Sequence, residues 1–124
     1  MKFQLDQQLG GNTVSRVEPG CAWVNGRPWQ RSVLVPWQGD TQAWAPTRFE
    51  DLAAEHFEQI LALRPELVIL GSGAKLRFVP PALYRGLIGA RIGVETMDFA
   101  AACRTYNVLA AEGRAVLAAL LIEA

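Results

Sequence analysis

A serine between two glycines, Gly71-Ser72-Gly73, follows the apolar run Leu67-Val68-Ile69-Leu70. A glycine-rich turn after a buried strand is where α/β proteins often hold phosphate. Backbone N–H groups approach the anion there, and a helix starting at once adds its dipole. The dinucleotide fingerprint needs a third glycine, and Leu76 stands in that place. The phosphate loop of nucleotide hydrolases needs Ser or Thr after its lysine, and Lys75 is followed by Leu76. The next helix also waits until Pro80. The first expectation is therefore a tight turn leaving the sheet, with Lys75 and Arg77 available for weak anion binding.

Cys103 has the type of a nucleophile, but a thiolate needs a neighbouring base and a depressed pKa. His56 is the one histidine, and it falls on a different predicted helix. Cys103 shares an apolar stripe with Phe99 and Tyr106, so a core thiol is expected. Cys21 and Cys103 match no Cys-x-x-Cys spacing. Two buried thiols are the expectation, and one disulfide is the alternative. His56 has no carboxylate or cysteine in register to make a metal site. A half-buried imidazole bonded to backbone is expected. Asp98 stands where a helix should start and reads as its N-cap. Asp98, Thr105 and Glu112 recur every seven residues as a polar stripe. Arg104 and Asn107 are placed on the outer, solvated side. The candidate pocket is thus Gly71, Ser72 and Gly73 with Asp98 and Arg104, and no cofactor is implied.

These residues need elements to position them. The first third reads as β. Runs over 2–7 and 13–18 are separated by Gly10-Gly11-Asn12, and Pro19-Gly20 makes a turn. Asn25-Gly26 supplies the two positive-φ residues of a type I′ hairpin between 22–24 and 27–29. A strand over 30–35 ends in Val33-Leu34-Val35, a run that suits a strand covered on both faces. A polar loop over 37–46 precedes Thr47, which with Glu50 forms a capping box for a helix burying Phe49, Leu52, Ala53, Phe57 and Ile60. Pro65 stops that helix. Strands over 66–70, 91–94 and 116–122 alternate with helices opened by Pro80-Pro81 and by Asp98, the latter closed by Gly113. Alternation of this kind predicts an α/β fold. Its mixed sheet has N-terminal antiparallel hairpins and a C-terminal βαβαβαβ unit with three helices, all in one domain over 1–124.

Composition narrows the function classes. In 124 residues, twelve basic side chains balance twelve acidic ones, so no net field steers the chain to nucleic acid. No apolar run reaches membrane-span length. The N-terminus lacks the apolar stretch of a signal peptide, so a cytoplasmic location is expected. All four tryptophans fall within the first 44 residues. Turns and loops expose aromatics that anchor partners, which makes Trp37 and above all Trp44 candidate interface residues.

Glu95-Thr96-Met97-Asp98, Ala101-Ala102-Cys103-Arg104-Thr105-Tyr106-Asn107-Val108-Leu109 and Glu112-Gly113-Arg114 form one further pattern. It resembles the C-terminal signature of the Mth-type domain-of-unknown-function family. That family includes the mitochondrial complex I assembly factor three, the adipogenesis-associated Mth-domain-containing protein and many short prokaryotic proteins. Leu70-Gly71-Ser72-Gly73 and Phe78-Val79-Pro80-Pro81 fit its middle section. The resemblance implies an Mth-like α/β fold and supplies no catalytic residues. It also implies interaction with an unknown protein partner, with a homo-oligomer as a further option. The expected function is a non-catalytic interaction or assembly module. The alternative is a small-ligand or anion-binding protein, or an enzyme, using a pocket near Gly71-Ser72-Gly73.

Overall fold

Apolar residues alternate between two covered faces of a central sheet. Val33, Val35, Ile69, Val116, Ala118 and Leu120 belong to one core. Leu34, Val68, Leu70, Leu117, Ala119 and Leu121 belong to the other. Every strand position there is apolar because both sides of the sheet are packed. The computed structural model describes residues 11–123, and the strand expected over 2–7 lies outside them.

The strands are β1 (Val14–Glu18), β2 (Cys21–Val24), β3 (Arg27–Trp29), β4 (Val33–Pro36), β5 (Gln42–Ala43), β6 (Leu67–Gly71), β7 (Gly93–Met97) and β8 (Val116–Leu120). The helices are α1 (Ala54–Leu61), α2 (Arg85–Gly89) and α3 (Phe99–Ala111). β1, β2 and β3 form an antiparallel sheet, and the second sheet has the order β5-β4-β8-β6-β7. In the latter, β6 runs parallel to β7 and β8, while β4 pairs antiparallel to β8. This is the mixed α/β architecture expected, with two sheets where the sequence suggested hairpins on one.

The connection β6-α2-β7 steps outward to the sheet edge, and β7-α3-β8 steps back across β6. Right-handed crossovers running in opposite directions place their helices on opposite faces. Accordingly Leu87 of α2 packs with Leu70 and Ile60, whereas Phe99, Cys103 and Tyr106 of α3 pack with Ile69 and the small sheet. Gly71 lets α3 approach closely: a Cβ there would lie 3.1 Å from Ala102 Cβ and 3.2 Å from Leu120 Cδ2.

Local signals account for several element ends. Asn25 (φ 52°) and Gly26 (φ 86°) form the expected primed turn. Asp98 caps α3, its Oδ1 accepting the Ala101 N–H at 2.9 Å. At the other end Gly113 N–H donates to Ala110 O and Arg114 N–H to Leu109 O. Gly113 has φ 83°, which completes a Schellman motif.

Five expectations are corrected. The helix placed after Thr47 begins later: Phe49–Asp51 is a 3-10 turn, and α1 starts at Ala54. Leu52 and Ala53 between them are extended, so Leu52 reaches the core as a strand-like residue. The cap is instead supplied by His56, whose Nδ1 accepts the Ala53 N–H at 2.9 Å. The helix opened by Pro80-Pro81 is a 3-10 turn followed by five α residues. The strand after it starts at Gly93, because Arg91 takes φ 62° to turn the chain. Within the 37–46 loop, Gln42–Ala43 adds a short edge strand.

Candidate functional site

β6 delivers Ser72 to the end of the sheet, fully buried. Its N–H donates to Met97 O at 2.8 Å. Its hydroxyl donates to Lys75 O at 2.6 Å and accepts the Arg77 N–H at 2.9 Å. The side chain therefore folds the 74–77 turn back on itself, and it is shut away from solvent. Gly73 adopts φ 102°, and a Cβ there would sit 2.8 Å from Arg77 Nη2. The positive φ favours glycine, and a Cβ would push the Arg77 guanidinium aside.

Arg77 is not free for an anion. Its Nη2 donates to Ser72 O at 2.8 Å and to Glu123 Oε1 at 2.7 Å. Its guanidinium lies 4.6 Å over the Phe49 ring. Glu123 Oε2 accepts the Phe49 N–H at 2.8 Å. That backbone hydrogen bond, then the bond from Arg77, hold the Glu123 carboxyl below its ordinary range. Charge, stacking and backbone bonds thus pin one loop. Arg77 points inward, and its sequence neighbours project outward: Leu76 is 53% exposed and Phe78 73%. Ile88 and Val108 are the other large apolar side chains exposed among the described residues.

Beside this loop lies an open groove of about 550 Å³. Val17, Pro19, Phe99, Leu121 and Ile122 give it apolar walls. Gly73 and Ala74 close one side, and Glu18, Asp98 and Glu123 stand in its lining. Of the five predicted pocket residues, the structure brings Gly73 and Asp98 into this groove. Gly71 and Ser72 are buried beneath it, and Arg104 is exposed and lies elsewhere.

The tryptophan expectation is corrected for Trp44. Its ring is 3% exposed, its Nε1 donates to His56 O at 3.1 Å, and it packs edge-on against Phe57. A partner cannot reach it. The polar loop that suggested exposure is pressed onto α1. Trp37 is half-buried. The residues missed from sequence are Leu76 and Phe78, which flank Arg77, itself bonded to Glu123 46 residues away.

Cys21 and Cys103 are both free and buried. Burial pushes the Cys103 thiol up to about 12, the opposite of an activated nucleophile. Among the described residues no group of three His, Cys, Asp or Glu is placed to hold a metal ion. No helix among them is long and apolar enough to cross a membrane.

The architecture defines a Mth-type α/β domain. The chain belongs to the family described as "Protein of unknown function (DUF498/DUF598)", which matches residues 14–121. It is similar to an uncharacterised protein of Rhodobacter capsulatus, 39% identical over 118 residues, covering 90% of this chain and 86% of that one. The NADH dehydrogenase [ubiquinone] 1 alpha subcomplex assembly factor 3 of Bos taurus is 34% identical over 80 residues, 63% of this chain and 44% of its own length. The chain thus spans less than half of that assembly factor. The solution structure of a Mth938-like domain from Bordetella pertussis superposes with a TM-score of 0.80 at 29% identity, covering 90% of this chain and 86% of that one.

Proposed function

We propose that this chain is a non-catalytic, cytoplasmic protein-interaction or assembly module. The carrying observation is the loop at residues 74–78, where Ser72, Arg77 and Glu123 fix the backbone and leave Leu76 and Phe78 facing solvent. A loop held in advance loses little entropy on docking, so apolar anchors on it bind efficiently. The side chains with catalytic potential are engaged otherwise: Ser72 is buried and holds the 74–77 turn, Cys103 is a core thiol, and His56 and Asp98 serve as helix caps. The likeness to proteins named as assembly factors supports the same reading.

The test is affinity purification of the tagged chain from its host, with the bait compared to a Leu76→Ser/Phe78→Ser variant and to Arg104→Ala. A stoichiometric partner that is lost with the first variant and kept with the second is the expected result. Absence of any stoichiometric partner, or one indifferent to the double variant, overturns the proposal.

A further inference from the structure

The exposed Leu76 and Phe78 stand next to the groove on one molecule. Gly73 and Ala74 form a wall of the groove. Leu76 and Phe78 follow within four residues, yet neither lines the groove of its own chain. The accessible apolar lining of the groove comes from Val17, Pro19 and Ala100, with Phe99 and Ile122 almost buried behind them. Its volume lies within the ~300–1,000 Å³ of sites that enclose a sizeable ligand, enough for a leucine and a phenylalanine side chain.

Charge matches as well. Lys75, beside the apolar pair, is exposed and has no carboxylate partner among the described residues. Asp98 at the groove uses Oδ1 for the Ala101 N–H and pairs with no cation among them. The positive end of α3 offsets only part of that full negative charge, about half an elementary charge.

A protrusion and its matching recess side by side on one subunit satisfy the requirement of an isologous interface, in which each copy gives and receives the same contact. We propose that two copies of this chain pair about a two-fold axis, Leu76 and Phe78 of each entering the groove of the other, with Lys75 facing Asp98. The site is then incomplete in one chain and is finished by a second. This deepens the interaction reading, since it uses the same loop, and implies that self-pairing and a foreign partner compete for it.

The experiment is sedimentation velocity on the purified full chain from low micromolar to millimolar concentration, alone and as Phe78→Ser and Ala100→Trp. Phe78→Ser removes the protrusion. Ala100→Trp fills the groove from an exposed position of α3. The expected result is a concentration-dependent dimer whose dissociation constant rises at least about tenfold, ~1.4 kcal/mol, in each variant. Circular dichroism confirms that each variant is folded. If Ala100→Trp unfolds, Phe78→Ser and the charge reversal Lys75→Glu decide. A chain that stays monomeric throughout, or a dimer indifferent to the folded variants, overturns the proposal. The outcome is separable from the partner test: a monomer that still holds a Phe78-dependent foreign partner sinks self-pairing alone. A dimer without any foreign partner sinks the hetero-assembly reading alone.

Discussion

Asn107 on α3 completes the backbone of Val14 on β1. Its Nδ2 donates to Val14 O at 2.8 Å, and its Oδ1 accepts the Val14 N–H at 2.9 Å. A side-chain amide thereby imitates a neighbouring strand and covers the edge of the small sheet. Asn107 was expected on the outer, solvated side of its helix. Instead it is half-buried, and it joins the two elements that flank Tyr106. Asn107→Ala removes both bonds and leaves two partly buried backbone groups unpaired. The expected loss is about 1–3 kcal/mol in urea unfolding. Asn107→Asp keeps the acceptor and loses the donor, so it should also destabilise. A loss below a few tenths for both variants would remove Asn107 from the fold's essential contacts.

Tyr106 is fully buried. Its hydroxyl lies 2.9 Å from Asn12 O and 3.0 Å from Pro36 O. Asn12 in turn donates to Pro36 O and Gly39 O, and its Oδ1 accepts from Asn25 Nδ2. One phenol therefore ties α3 to the segment before β1 and to the end of β4. Tyr106→Phe should cost about 1–3 kcal/mol, because the Asn12 carbonyl loses its donor while the ring stays and Pro36 O keeps the Asn12 amide. Tyr106→Ala should cost about 3–5 kcal/mol, by analogy with Phe truncation. Similar values for the two variants would mean that the hydroxyl, not the ring, carries the effect.

The contrast between Asp98 and Asn107 shows which features a sequence discloses. The Asp98 cap closes within three residues, so residue type and spacing suffice to find it. The Asn107 bond joins residues 93 apart, and nothing local distinguishes it from a solvated amide. The strands at Val33-Leu34-Val35 and over 116–122 were legible as strands, and the unbroken apolar run of the first as one covered on both faces. Their order, with β8 between β4 and β6, is set by long-range pairing. Trp44 misled for the same reason: its polar surroundings are local, while its burial comes from α1. Of the candidate pocket, Gly73 and Asp98 were found through turn and cap chemistry. Leu76 and Phe78 look like ordinary core residues until the Arg77–Glu123 pair turns them outward.

Cys103 is completely buried, and desolvation raises its thiol to about 12. In a Cys21→Ala background, Cys103 should label with a thiol reagent only as fast as α3 opens, and rapidly once unfolded. Burial of a neutral thiol contributes stability that is present below the unfolded value near 9. Stability should then fall as pH rises from there toward 12, because only the unfolded thiolate forms in that window. Cys103→Ala should flatten that alkaline loss. Native-state labelling at the rate of a free thiol would show that this face of α3 is open.

The Glu123 carboxylate is held below its ordinary range by the Phe49 N–H and by Arg77. A depressed folded pKa contributes stability above the unfolded value near 4.5, and that contribution disappears as pH falls through the folded value. Glu123→Gln should therefore be less stable than the parent at neutral pH and should lose less on acidification, so the two curves converge at low pH. The pair is partly exposed, with side chains 29% and 31% accessible, and its global effect should be modest. Its local effect should be larger, because Arg77 pins the loop that carries Leu76 and Phe78. Arg77→Ala leaves Ser72 O and Glu123 without their shared donor and uncovers the Phe49 ring. Brief chymotrypsin treatment at neutral pH should then cut at Leu76 and Phe78 faster than in the parent, while the melting temperature shifts little. Equal cleavage in the two proteins would show that Ser72 alone fixes the loop. The apolar anchors would then owe their orientation to the turn and not to the ion pair.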